Sequence, residues 1–368
     1  MVSLSGHVQG GRASRLQSYS RVEKKVSQRA GREPVIRRWG RRTGTVSAIL
    51  VGLALALGTA PLWGLVLAGV DLLRGSNWAR LRCGVYLTWL LLCEAAGLLG
   101  ALLLWLWPSG SQETFRRRHY TLQNYWAGAL LDGAVRIFDL TIEVEGGEVF
   151  ERGPLLLFMR HATVVDTLLP AALVSRPYGI RLRYVLKQEL RIDPCLDIVG
   201  DRMPNAFVRR GLADGSAERD RVIGLAHDLG PHDGVVIYPE GTRFTSERRA
   251  RILEKLEEKG EVARLAAAES FRNVLPPRLG GVMGLMDAAP QADVVFCAHS
   301  GMEKLTRLGD VLSGEVLGAQ LRVLCWRVPA ESIPASEDER EVWLEREWRR
   351  VDEFVSGHLN EAAGPVQS

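Results

Sequence analysis

The chain has 368 residues, 46% of them hydrophobic and 24% charged, with a formal net charge of +4. These averages exclude a disordered, collagen-like or disulfide-scaffold protein. The charge is uneven: residues 1–43 carry eleven Lys/Arg against Glu23 and Glu33, so the remaining chain is net acidic, and the basic balance gives no ground for a nucleic-acid partner.

Residues 1–42 are rich in Ser, Arg and Gly and predict a basic, mostly disordered leader. It reads first as a topology signal and second as an attraction for anionic headgroups. From Thr43 to Val70 there is no charged residue, and Cys83–Trp107 has the same character around the single acid Glu94. About 20 apolar residues cross the hydrocarbon of a bilayer, so the two runs, joined by the polar turn Asp71–Arg82, predict a hairpin of two transmembrane or membrane-embedded helices over residues 43–110. Pro61 is expected to kink the first helix. Arginines on both flanks favour a cytoplasmic location for both ends, and hence an integral membrane protein with its catalytic body on the cytoplasmic face. Glu94 reads as a helix–helix interface acid in preference to a direct functional role.

From residue 119 the pattern turns globular. Tyr125–Phe138 suits an amphipathic helix lying near the bilayer. Strands are predicted at Leu140–Val144, Leu155–Met159, Arg183–Leu186, Gly234–Tyr238, Ala292–Ala298 and Gln320–Val328. Helices are predicted at Thr167–Val174, Glu218–Leu229, Arg248–Phe271 and Glu337–Leu359. Such alternation predicts an α/β domain over residues 119–335, followed by a C-terminal helix and tail over 336–368. Five cysteines (Cys83, Cys93, Cys195, Cys297, Cys325) form no C-x-x-C pair, which predicts neither disulfides nor structural zinc.

Two motifs carry chemistry. The strand Leu155–Met159 runs into Arg160-His161-Ala162-Thr163-Val164-Val165-Asp166. With His161 on the exit loop and Asp166 in the first turn of a helix, both side chains face one pocket, where His161 can take a proton from a hydroxyl while Asp166 holds its tautomer. A His-x4-Asp spacing arises by chance in roughly one such sequence in three, so it does not stand alone. Gly234–Tyr238 runs into Pro239-Glu240-Gly241-Thr242-Arg243, and Glu-Gly-Thr-Arg is expected by chance about once in a hundred. Here Gly241 permits close backbone approach, and Arg243 offers a planar fork suited to phosphate.

The order of these motifs resembles the glycerophospholipid acyltransferases typified by lysophosphatidate acyltransferase, over about residues 140–330 together with the hairpin. His161 and Asp166 match the catalytic His-x4-Asp. Lys187-Gln188-Glu189-Leu190, Pro194, Gly200 and Phe207-Val208-Arg209-Arg210 resemble a second block, Tyr238–Arg243 a third, and Val294–Ala298 a fourth that here lacks its usual proline. Asn273–Gly281 is similar to a Pro-Arg-x-x-Gly segment of the branch containing lysocardiolipin acyltransferase-like members.

The resemblance implies an acyltransferase-type α/β fold with a mixed sheet flanked by helices, and transfer of an acyl group to a lysophospholipid hydroxyl, foremost 1-acyl-sn-glycerol-3-phosphate, giving phosphatidic acid. His161 would be the general base oriented by Asp166, while Arg210 and Arg243, with Glu240, Gly241 and Thr242, would form the acceptor-phosphate site. Lys187, Phe207 and Arg278 are further candidates. No cofactor or metal is implied. Acyl-CoA or acyl carrier protein would be the co-substrate, and the lipid bilayer and the lysophospholipid acceptor the other partners. Two other readings stay open: an acceptor such as a lyso-ornithine lipid or a lysocardiolipin-like lipid, and an inactive membrane-bound lipid-binding scaffold. A hydrolase is disfavoured, since no nucleophile or metal set accompanies His161.

Overall fold

In the computed structural model, which describes residues 33–163, 165–208, 216–303 and 308–363, the first apolar run folds as two helices. These are α1 (Val35–Gly58) and α2 (Ala60–Arg74), bent by 71° where they meet. The break falls at Thr59, and Pro61 lies in the first turn of α2, where its missing N–H is not needed. The proline therefore opens a second helix instead of kinking one. Helix α1 begins at Val35, inside the segment expected to be disordered, because Arg41 and Arg42 form ion pairs with Asp197 of the body. The expectation of disorder for residues 1–32 falls outside the described residues. After a short turn, α3 (Ala79–Leu106) is the one described helix long and apolar enough to cross a membrane unaided.

Helix α4 (Gln112–Phe138) starts well before the expected Tyr125, because Ser111 caps it by accepting a hydrogen bond from the Thr114 N–H. It packs tightly on α3. The Trp89 indole donates to the Ala129 carbonyl at 2.9 Å, and a Cβ at Gly133 would lie 2.0 Å from that indole nitrogen.

Among the described residues seven strands follow: β1 (Thr141–Glu145), β2 (Leu155–Met159), β3 (Arg181–Lys187), β4 (Ala206–Val208), β5 (Asp233–Ile237), β6 (Asp293–Ser300) and β7 (Gln320–Val328). They form one mixed sheet in the order β1-β7-β6-β2-β5-β3-β4, parallel throughout except between β6 and β7. Every residue of the central strand β2 is buried, as suits a parallel strand covered on both faces. Alternate side chains serve the two sides: Leu155, Leu157 and Met159 join α4 in one core, and Leu156 and Phe158 join Phe296, Trp343 and Trp348 in the other.

Beyond the short turn Arg176–Tyr178, the remaining helices among the described residues are α5 (Pro194–Gly200), α6 (Ser216–Ile223), α7 (Ser246–Glu258), α8 (Val262–Ser270), α9 (Leu279–Ala288), α10 (Leu308–Ser313) and α11 (Glu337–Ala363). The single helix expected over Arg248–Phe271 is the pair α7 and α8, interrupted near Gly260 at φ +68°. The helix expected over Thr167–Val174 is a 3-10 turn (Val165–Thr167) followed by a π-helical stretch (Pro170–Ser175). The one expected over Glu218–Leu229 leaves α-helical geometry after Ile223. Helix α11, set apart in the sequence at residue 336, buries Trp343, Leu344, Trp348, Val351 and Val355 and so completes the second core.

Candidate active site

Strands β5 and β6 flank β2 in parallel, with Phe158 opposite Ile237 and Met159 opposite Cys297. The chain segments leaving all three therefore meet at one edge of the sheet, where open α/β sheets place their sites. His161 leaves β2, and its backbone is fixed on both sides. Its N–H donates to Glu240 Oε1 at 2.8 Å, and its carbonyl accepts from the Phe244 N–H at 3.1 Å.

The His161 ring places Nδ1 3.2 Å from Asp166 Oδ2. That same oxygen accepts the N–H groups of Ala162 and Thr163, both at 2.6 Å, and Oδ1 accepts the Thr163 hydroxyl at 2.7 Å. Burial alone would raise the Asp166 pKa, but His299 beside it and the hydrogen bonds from His161 and Thr163 hold it down at about 2. An ionised carboxylate only accepts, so Nδ1 of His161 carries a proton, and in the neutral imidazole Nε2 then keeps its lone pair. The ring lies 4.6 Å from that of Tyr238, whose hydroxyl donates to the Asp166 carbonyl at 3.0 Å. Asp166 sits in a 3-10 turn, where the sequence suggested the first turn of a longer helix.

Glu240, expected to shape the acceptor-phosphate site, is committed to the backbone. It is buried, and its carboxylate accepts from the His161 N–H and, at 2.9 Å, from the Leu275 N–H. Burial pushes its pKa up to about 7 against the opposing charge of Arg160. It ties the β2 and β5 loops to the segment before α9. Gly241 has φ +64°, and a Cβ there would come within 2.8 Å of Arg278 Cδ. Arg278 is drawn onto this turn by its own N–H, which donates to the Pro239 carbonyl at 2.8 Å. Gly241, the half-buried Thr242 and Arg243 thus share one turn, with Arg278 of the α9 N-cap packed against it, and among the described residues neither arginine has a carboxylate partner.

Lys187 ends β3 on the same edge of the sheet. Phe207 in β4 is buried, with the Arg191 guanidinium 4.0 Å above its ring, so it braces the segment and is not open to a ligand. Arg210 lies outside the described residues.

Sequence reasoning missed a layer behind His161. Arg160 is buried, and its guanidinium donates to Glu303 at 2.7 Å, to the His299 carbonyl at 2.6 Å and to the Asn273 carbonyl at 3.0 Å. Burial lowers the His299 pKa against the charge of Asp166 beside it. The available signal was the placement of a histidine at the end of an apolar strand. Asp352 of α11 accepts from the Arg272 and Asn273 N–H groups and steadies the same segment.

Residues 141–297 match the family model described as Acyltransferase. Two curated relatives are named lysocardiolipin acyltransferase 1. That of Mus musculus is 22% identical over 239 residues, covering 61% of this chain and 60% of the relative. That of Gallus gallus is 20% identical over 222 residues, covering 59% and 57%. The chain thus spans under two thirds of the length of these relatives. Among solved structures, the 1-acyl-sn-glycerophosphate (LPA) acyltransferase PlsC from Thermotoga maritima aligns with 14% identity and a TM-score of 0.45, over 88% of this chain and 100% of that one.

Proposed function

We propose that this chain, a member of the glycerophospholipid acyltransferase family by its sequence motifs and family-model match, is a membrane-attached lysophospholipid acyltransferase. The observation that carries the reading is the His161–Asp166 pair, which in the neutral imidazole leaves Nε2 as an acceptor, beside the turn that carries Arg243 and against which Arg278 packs; among the described residues neither arginine has a carboxylate partner. Nε2 of His161 takes the proton of the acceptor hydroxyl as its oxygen attacks the thioester carbonyl of acyl-CoA or acyl carrier protein. The tetrahedral intermediate then collapses, the ester forms, the carbon–sulfur bond breaks, and the imidazolium returns the proton to the departing thiolate. Asp166 stabilises the imidazolium in between. No acyl-enzyme is needed.

Arg243, with Arg210 from the second block, holds the acceptor phosphate, and Arg278 adds a guanidinium on the same turn. The acceptor is foremost 1-acyl-sn-glycerol-3-phosphate. The names of the curated relatives favour a lysocardiolipin-type lipid as the second reading.

Incubating membranes containing wild type or His161→Ala with labelled acyl-CoA and a panel of lysophospholipids tests this. We expect His161→Ala to lower kcat by about 100-fold or more, the range for loss of a general base. Equal product from both above a vector control would end the proposal. Arg243→Gln should raise the KM for a phosphate-bearing acceptor by about 10- to 100-fold, as loss of a charged hydrogen bond implies. An unchanged KM would remove it from the phosphate site.

Helices α1–α3 support attachment to the bilayer. Outward faces carry Leu50, Leu55, Leu62, Leu65, Leu103 and Trp105, all exposed. The opposite side of α3 is bonded to the body along its length. Arg82 donates to the Ile137 carbonyl, Tyr86 to that of Leu130, Glu94 accepts from Trp126, and Arg202 donates to the Ala101 carbonyl. At 1.5 Å per residue, Arg82 to Ala101 is about 28 Å of helix held to protein. We read the helices as lying in one leaflet by their apolar face, with the site facing the cytoplasm, where the donor is found.

A further inference from the structure

We propose that His299 is a positioning residue for the His161–Asp166 pair, fixing the peptide that joins Arg160 to His161. The inference rests on reading His161 as the general base. Residues 160 and 299 exchange side-chain-to-backbone hydrogen bonds: Nε2 of His299 lies 2.9 Å from the Arg160 carbonyl, and the Arg160 guanidinium donates to the His299 carbonyl at 2.6 Å. A carbonyl only accepts, so Nε2 of His299 is the donor and its tautomer is set.

The Arg160–His161 peptide is therefore held from both faces of the loop, its carbonyl by His299 and its N–H by Glu240. The same Nε2 lies 3.6 Å from Asp166 Oδ1, beyond hydrogen-bond length, so His299 closes that side of the carboxylate without taking over its bond to His161. Arg160 is in turn locked by Glu303, whose carboxylate also accepts from the Ser300 hydroxyl and the Gly301 N–H, both at 2.8 Å. Both His299 and Arg160 are about 1% exposed. Burying an imidazole and a guanidinium is unfavourable where an apolar strand end could simply fill space, and these groups spend their bonds on the loop that carries His161.

The test compares His299→Leu, which removes the donor, with His299→Gln, whose longer amide still reaches the Arg160 carbonyl. Each is assayed on whichever lysophospholipid the wild type acylates. We expect the Leu variant to lose about 30-fold in kcat with acceptor KM within about twofold, as small displacement of a reacting group implies, and the Gln variant to recover most of the loss. Should the Leu variant fail to fold, His299→Asn, whose shorter amide falls short of the carbonyl, replaces it and is expected to behave in the same way.

A second readout needs no turnover: the rate at which diethyl pyrocarbonate modifies His161 in the folded protein, followed by peptide mass spectrometry. It should change in the Leu or Asn variant and match wild type in the Gln variant. Unchanged kcat and labelling, a Gln variant as impaired as the Leu variant, or a change confined to KM would each overturn the proposal. If wild type acylates no lysophospholipid, the acyltransferase reading fails, and the labelling rates alone decide the role of His299.

Discussion

Glu240 shows how a residue picked out by a motif can act through the backbone. Its two oxygens accept from two N–H groups, those of His161 and Leu275. In Glu240→Gln one of these donors would face the amide NH2, leaving a buried N–H unpaired, which costs about 1–3 kcal/mol. We expect a lower unfolding temperature and a fall in kcat exceeding any rise in acceptor KM, measured by thermal denaturation and steady-state kinetics. Asp166 makes a separate prediction about acid. Its pKa is depressed to about 2 in the folded state, so its contribution is complete above the unfolded value near 3.8 and is lost as pH falls towards 2. The shift corresponds to about 2 kcal/mol. In Asp166→Asn the stability–pH curve should be flatter between about pH 4 and 2, read from denaturant midpoints across that range. An unchanged slope would refute the assignment.

Among the elements, α5 joins the N-terminal helices to the body. Asp197 at its centre is fully buried and pairs with Arg41 at 2.5 Å, Arg42 at 2.8 Å and Arg191 at 3.1 Å, while Asp201 takes up Arg42 and Arg191 at 2.6 and 2.8 Å. Glu94 reaches the start of the same helix, where the Cys195 N–H donates to it at 3.4 Å. It acts as an interface acid, as the sequence suggested, with its partners in α4 and α5. Two of the eleven basic residues read as a topology signal therefore hold α1 to the α/β body. Breaking a buried ion-pair cluster by removing one partner is destabilising by about 3–5 kcal/mol. We expect Asp197→Asn to lower the unfolding temperature and to open α1 to tryptic cleavage after Arg41 and Arg42, detected by mass spectrometry. Protection equal to wild type would show that the cluster does not anchor the helix.

For the whole molecule, the exposed faces of α1, α2 and α3 gather large apolar side chains, among them Leu55, Leu62, Leu65, Leu103 and Trp105, and clustered exposed apolar groups mark an interaction surface. If it lies in a leaflet, attachment depends on apolar burial and resists salt, unlike attachment through surface arginines. Wild type should stay with phosphatidylcholine vesicles through a high-salt wash, and the double variant Leu65→Glu and Leu103→Glu should be released into the supernatant while keeping its unfolding temperature. Release of wild type by salt alone would overturn the one-leaflet reading.

The α/β class, six of the seven described strands and the His161–Asp166 spacing are legible along the chain because those features are local: a short apolar run between turn signals, and two reactive residues within one loop. Strand β4, with three residues, and the glycine-rich α9 carry too little periodicity to be read. The Arg160–His299 exchange, the commitment of Glu240 to Leu275 and the capture of Arg41 and Arg42 by Asp197 emerge from folding alone. These bonds join residues 35 to 156 positions apart, and a buried polar group finds its partner by where the sheet places it, a relation that composition and spacing do not encode.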